Sequence, residues 1–207
     1  MTHKIAGHLV IGLMMGTAGG QTPKPSPIPP DLAREAYELY SSIFRGMSQE
    51  SRYCDFLKSD ELLVISNEVL QTPNNDVVKT MKPKSSEDRL MIGKLVQLGK
   101  TRYAWEERFD FGRPYRLLSE ADDATLDDCK FRGFAGRPND PKCAAFVNVR
   151  VGRALSLPSF NKDHTRALVR FVRGCGFLCG GDEFASYRKT ASGWKREQPG
   201  FGGCAIY

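Results

Sequence analysis

Apolar residues recur at helical spacing through "DLAREAYELYSSIFRGM" (Asp31–Met47), where Leu32, Ala36, Leu39, Tyr40 and Ile43 fall on one stripe. Asp31 predicts an N-cap for a helix opening at Leu32, and Gly46 suits its C-terminal end. The opposite face mixes both signs of charge, which predicts packing on the domain rather than on a membrane. The pattern then tightens in "ELLVISNEVL" (Glu61–Leu70), whose aliphatic and β-branched residues predict a strand ended by the turn residues "TPNND". Helical spacing returns in "SSEDRLMIGKLVQLGKTRYAW", with Leu90, Met91, Leu95 and Leu98 as its apolar positions. Ser85, with Asp88 three residues on, has the form of a capping box. "ADDATLDDCKFRGFAGRPNDPKC" (Ala121–Cys143) shows neither period. Its Asp, Gly and Pro content predicts a long, solvated loop.

A period of two governs the last third. In "FVNVRV", Val147, Val149 and Val151 alternate with Asn148 and Arg150. In "TRALVRFV", Ala167, Val169 and Phe171 alternate with Arg166, Leu168 and Arg170. Such alternation predicts a sheet with one dry face and one wetter face. "SFNKDH" joins these strands, "DEFASYRK" reads as a third, "TASG" as a turn, and "WKRE" opens a fourth. Connections this short require antiparallel pairing. The class predicted is α+β: helix, strand, second helix, then a C-terminal antiparallel meander of four strands.

Length and composition place this pattern in a compartment. The chain has 207 residues and a net charge of +6. That length fits one domain, assigned to residues 31–207, with appendages at residues 1–20 and 21–30. No run of Lys and Arg has the length that marks a nucleic-acid tail, so nucleic acid is not an expected partner. Lys4, the apolar "IAGHLVIGLMMGTAGG", and the small residues Ala18 and Gly20 have the form of a signal peptide cut before Gln21. The apolar stretch is interrupted by His8 and falls short of the ~20 residues that span a bilayer. No later stretch is apolar enough to insert in a membrane, so the expected location is secreted or periplasmic. "QTPKPSPIPP" (Gln21–Pro30) predicts an extended tether.

All six cysteines, Cys54, Cys129, Cys143, Cys175, Cys179 and Cys204, follow the expected cut. An even number in an exported chain points to disulfides. Cys175 and Cys179 lie among Gly174, Gly176, Gly180 and Gly181, each of which costs a helix roughly 1 kcal/mol relative to alanine. With strands on either side, a hairpin turn closed by a Cys175–Cys179 bond is the better reading, and such a closure stabilises by ~2 kcal/mol. Zinc usually takes four Cys or His ligands, and His164 is the only histidine after the cut. The usual redox dithiol has a different spacing and a βαβ context. Of the remaining cysteines, Cys129–Cys143 would close the acidic loop and Cys54–Cys204 would tie down the chain end.

Catalytic chemistry finds little purchase. His164 is the sole candidate base and lies in a polar turn, with no G-x-S-x-G, H-E-x-x-H or phosphate-cradling loop elsewhere. No catalytic residue, cofactor or metal is therefore assigned. Glu106, Glu107, Asp110, Asp182 and Glu183 could supply a glycosidase pair, but surface acids are the ordinary reading. "EADDATLDDC" lacks the glycine and terminal glutamate of an EF-hand loop. Arg150, Arg166 and Arg170 are candidates for one face of adjacent strands that binds an anionic glycan or another envelope component.

One block carries a resemblance. Phe160-Asn161, Ala167-Leu168-Val169, Cys175-Gly176-Phe177-Leu178-Cys179-Gly180-Gly181, Lys189 and Gly193-Trp194-Lys195 resemble the C-terminal block of a family of small exported bacterial proteins. "AYELYSSIF" and "LLVISNEVL" are similar to that family's opening helix and strand. The resemblance implies secretion and an α+β fold, and no activity. The chain departs from the family by its ending "FGGCAIY", which adds Cys204. The expected function is a non-catalytic binding or structural module of the bacterial envelope or exterior. The alternative is a secreted hydrolase using a carboxylate pair.

Overall fold

The computed structural model describes residues 24–50, 63–71, 78, 81–134, 140–146, 152–174, 180–197 and 204–206. The expected signal peptide, Cys54, Arg150, Cys175 and Cys179 lie outside them.

Strand β1 (Ser26–Pro27) precedes helix α1 (Pro30–Glu50), and β2 (Leu63–Ser66) follows. Helix α2 (Ser86–Leu98) leads to β3 (Tyr103–Ala104) and β4 (Tyr115–Leu118). Helix α3 (Glu120–Phe134) and a 3-10 helix (Pro141–Phe146) come next. The chain ends in β5 (Gly152–Leu155), β6 (Ser159–Phe160), β7 (Arg166–Gly174), β8 (Gly180–Thr190), β9 (Gly193–Arg196) and β10 (Cys204–Ile206). The fold is α+β, with the C-terminal antiparallel sheet that the alternation predicted. That sheet is larger than a meander, because β2 joins β5 and β4 in parallel, giving the order β10-β8-β7-β5-β2-β4.

Helix α1 covers one face. Its stripe of Ala36, Leu39, Tyr40 and Ile43 packs on Leu63, Ile65, Leu155, Ala167, Val169 and Phe171. The Tyr40 ring meets Trp105 edge-on at 5.7 Å and Phe171 at 6.0 Å, and its hydroxyl donates to the Ser156 carbonyl at 2.6 Å. A buried tyrosine hydroxyl needs such a partner. The loop after β3 has no ladder for its amides, so side chains accept from them. Tyr37 takes the Glu106 N–H, Tyr115 that of Phe109, and Ser41 that of Asp110. Trp105, Phe109 and Phe111 are thereby laid over the core.

The other face was expected to be wetter, and the structure corrects this. Leu168 is fully buried with Phe184 beneath Met91, Ile92 and Leu95 of α2. Val64 and Leu118 are covered by Leu126 of α3 and by Phe146. Alternation on β7 therefore separates two buried faces, and the polar positions between its apolar ones are arginines that must be neutralised in place. Helix α2 begins as its sequence implied. Ser85 accepts from the Asp88 amide at 3.0 Å, and the Asp88 side chain accepts from the Ser85 amide at 3.0 Å.

A second correction concerns residues 121–143, expected as a loop. Most of the stretch is α3, opened by the same device: Ser119 accepts from the Asp122 amide and the Asp122 carboxylate accepts from that of Ser119. Glu120, Asp122 and Asp123 in the first turn suit the helix dipole. The signal was legible as S-x-x-D. The Asp, Gly and Pro content of the stretch outweighed that signal. The expected Cys129–Cys143 bond is present, with Cα atoms 5.5 Å apart, and it ties α3 to the 3-10 helix. The tether is also shorter than expected: Ser26–Pro27 pair with Tyr103–Ala104, and Ile28 is buried. Helix α1 opens at Pro30, so Asp31 sits in its first turn, and it runs four residues past Gly46.

Two predictions follow from the β7–β8–β9 ribbon. Gly193 has a φ of +104°, and a Cβ there would lie 2.7 Å from Ser42 Oγ on α1, the atom that accepts from the Trp194 amide. Gly193→Ala should destabilise the protein by about 2 kcal/mol, measured by denaturant unfolding. Further along, Gly174 pairs with Gly180 at the last described rung. Cys175 and Cys179 lie beyond it, outside the described residues, and the bond between them is expected from the sequence. Peptide mapping without reduction should find the two joined. Replacing both with serine should lower the melting temperature by roughly 4–8 °C. Two alkylatable thiols at these positions would contradict the pairing.

Candidate functional site

Of the candidate arginines, the two described, Arg166 and Arg170, lie on the α2-covered face. Arg166 opens β7 directly across from Arg188 on β8, and like charges so placed repel. Glu197, just beyond β9, bridges them at 2.8 Å to Arg166 and 2.9 Å to Arg188. Arg166 also reaches the first turn of α2, where it contacts Glu87, and Asp88 at 3.1 Å. Asn161 completes the junction. Its Nδ2 donates to Glu87, and its Oδ1 accepts from the amides of Thr165 and Arg166, which closes the β6–β7 turn. Arg170 lies two rungs along on the same face. It makes a two-pronged pair with Asp182 at 2.6 and 2.9 Å, donates to the Gln71 carbonyl, and lies over the Phe184 ring. Both guanidinium side chains are nearly buried, at 14% and 11% exposure. Arg166 and Arg170 thus share a face, as the alternation implied. Their charge is met by carboxylates of the fold, so they do not form an open anion site.

The network shifts its own titrations. Burial pushes Glu197 up, but the hydrogen bonds and charge of Arg166, with Arg188 beside it, hold its carboxyl below the ordinary glutamate value. Asp88 shows the same balance: burial raises it, and the Lys84 amide, Ser85 and Arg166 bring it below its ordinary value. The amide of Asn161 and the Arg166 guanidinium lower Glu87. Arg166 is raised in turn, chiefly by its bond to Glu197.

The candidate acids do not converge. Asp182 and Glu183 are neighbours on a strand, so their side chains leave opposite faces of the sheet. Glu183 is buried on the α1 face, where it pairs with Arg196 at 2.6 Å. Asp110 pairs with Arg45, Glu106 lies 3.7 Å from Arg108, and Glu107 is exposed on the same loop. Asp122 caps α3 and faces Arg116. Among the described residues no cluster of three His, Cys, Asp or Glu side chains could hold a metal ion. No helix among them is long and apolar enough to cross a membrane.

His164 has a partner that sequence reasoning missed. Its Nδ1 lies 2.5 Å from Glu35 Oε2 of α1, its ring stacks on Phe160, and its φ is +55°. Glu35 is 129 positions away, so no local pattern announces it. A depression lined by Leu70, Leu95, Ser156, Leu157 and Arg170 encloses 210 Å³ even with its open mouth counted. Pockets that take small molecules start at about 300 Å³.

The block singled out in the sequence has work within the fold. Ala167 and Val169 meet α1, and Leu168 meets α2. Trp194 is buried against Phe160, with Lys189 over its ring. No family model matches the chain, and no curated protein or solved structure matches it.

The junction predicts an acid limit. A carboxylate whose folded pKa lies below its unfolded value adds stability above the unfolded value, near pH 4, and loses it as pH falls through the folded value. Glu87, Asp88 and Glu197 all have this sign, so stability should fall below about pH 4. Glu197→Gln should cost roughly 1–3 kcal/mol at neutral pH, because Arg166 keeps its other two partners. The same variant should lose stability less steeply in acid, measured by denaturant unfolding across pH.

Proposed function

We propose that the protein is an exported, disulfide-reinforced module that binds a component of the bacterial envelope or exterior and does not transform it. One observation carries this reading. Three of the groups that chemistry would draw on already have partners in the fold: Asp182 pairs with Arg170, Glu183 pairs with Arg196, and the half-exposed His164 ring is hydrogen-bonded to Glu35. A general acid and base need facing positions in a cleft with room for a substrate between them. Asp182 and Glu183 are divided by the sheet itself. The Cys129–Cys143 bond supports an oxidising compartment. The signal-peptide pattern and the resemblance of the C-terminal block point the same way.

Two measurements test this. The intact mass of protein recovered from culture should correspond to a chain beginning at Gln21. A chain still beginning at Met1 would count against export. That protein, mixed with isolated envelope fractions, should co-sediment saturably with at least one and release no product over time. Sugar reducing ends or peptide amines released in proportion to protein and time would replace the binding reading with the hydrolase one.

A further inference from the structure

Helix α2 is anchored on one side and idle on the other. Met91, Ile92 and Leu95 pack on the sheet, and both ends are capped. One residue from Met91, Leu90 points away from the core and is 74% exposed, the only large hydrophobic side chain so exposed among the described residues. Arg89 and Lys94 lie beside it on the helix and Lys100 just past the helix end, all exposed. None of the three forms an ion pair with a described residue, and Lys94 makes only a 3.5 Å contact to the Phe160 carbonyl. Of the helix's own acids, Asp88 is buried, and Glu87 pairs with Arg166 while staying 43% exposed. The outer face therefore carries an excess of cations with one apolar projection.

We propose that this face docks on an anionic lipid bilayer, with Leu90 entering the acyl boundary and Arg89, Lys94 and Lys100 on the headgroup phosphates. The proposal rests on the envelope-binding reading and names its partner. Charge alone would suit any polyanion, a glycan included, but a glycan would leave Leu90 in water. An anionic bilayer interface accommodates both features, apolar area below and cations at the phosphate level. The anion-binding surface sought on the sheet arginines is thus placed one layer further out, on the helix that covers them.

Sedimentation with vesicles tests this on the protein recovered from culture. Vesicles of phosphatidylcholine mixed with phosphatidylglycerol should retain it, and phosphatidylcholine alone should not. Raised salt should weaken binding, since surface charge is screened within about a Debye length, ~8 Å at physiological ionic strength. Leu90→Asp should weaken binding about tenfold or more, as should Arg89→Glu combined with Lys94→Glu. Gly93, one turn from Leu90 on the same face, has open space where a Cβ would stand. Gly93→Leu should therefore tighten binding severalfold without loss of fold, which circular dichroism checks. Equal retention by both kinds of vesicle overturns the proposal. So does loss of binding in the charge variant with no effect of Leu90→Asp or Gly93→Leu, which would mark a polyanion site. If envelope fractions retain the protein and vesicles do not, the bilayer assignment fails and the envelope-binding reading stands. If no fraction retains it, both fail.

Discussion

Strand β7 is buried on both faces over Ala167–Phe171 while carrying Arg166 and Arg170, and that constraint organises the rest of the molecule. Ala167, Val169 and Phe171 go under α1, and Leu168 goes under α2. Arg166 and Arg170 share the Leu168 face and cannot reach open water. A buried cation without partners is far more costly than an exposed one. Each is therefore met where it stands. Asp182, across the ribbon, meets Arg170. For Arg166 the partners come from two places: Glu87 and Asp88 in the first turn of α2, and Glu197 just beyond β9. The result sets where α2 begins relative to the sheet, because Asp88 serves at once as helix cap and as arginine partner.

The α1 face is settled differently, by hydroxyls and rings. Tyr40 satisfies a carbonyl at the end of β5, Ser42 an amide at the start of β9, and Tyr37 and Ser41 hold the loop that brings Trp105, Phe109 and Phe111 down. Burial and the Ser156 bond act in opposite senses on Tyr40, and burial prevails, so its phenol is held protonated. Hydroxyls and rings dominate the α1 face, with the Glu183–Arg196 pair beside them, whereas a charge network dominates the α2 face. The carboxyls held below their ordinary values, Glu87, Asp88 and Glu197, belong to the α2 side. It is also the side whose covering helix turns Leu90, Arg89 and Lys94 outward. The same charges that fasten α2 bury Asp88 and engage Glu87.

Much of this was legible from residue order alone. Period and spacing place α1, α2 and the β7–β8–β9 ribbon, because a helix stripe and strand alternation are local consequences of geometry. Ser85 with Asp88 marks the start of α2 for the same reason. The compartment reading led to cysteine pairing, and Cys129–Cys143 is bonded. The identity of strand neighbours is not local. β2 lies between β4 and β5 in parallel, a pairing of segments far apart in the chain that no alternation pattern encodes. Helix α3 was hidden because its Asp-, Gly- and Pro-flanked composition resembled a loop, although Leu126 and Cys129 turn to the core.

Local order therefore determined which segments become helix or strand, where they are capped, and that β7 alternates arginine with apolar side chains. Only the tertiary structure decided what that alternation is for. Period two separates two faces but does not say whether the second meets water or a helix. The answer depends on α2, some seventy positions earlier in the chain. With α2 in place, arginines that resemble a binding surface become internal fastenings, and Asp182 and Glu183, adjacent in sequence, are parted by a sheet.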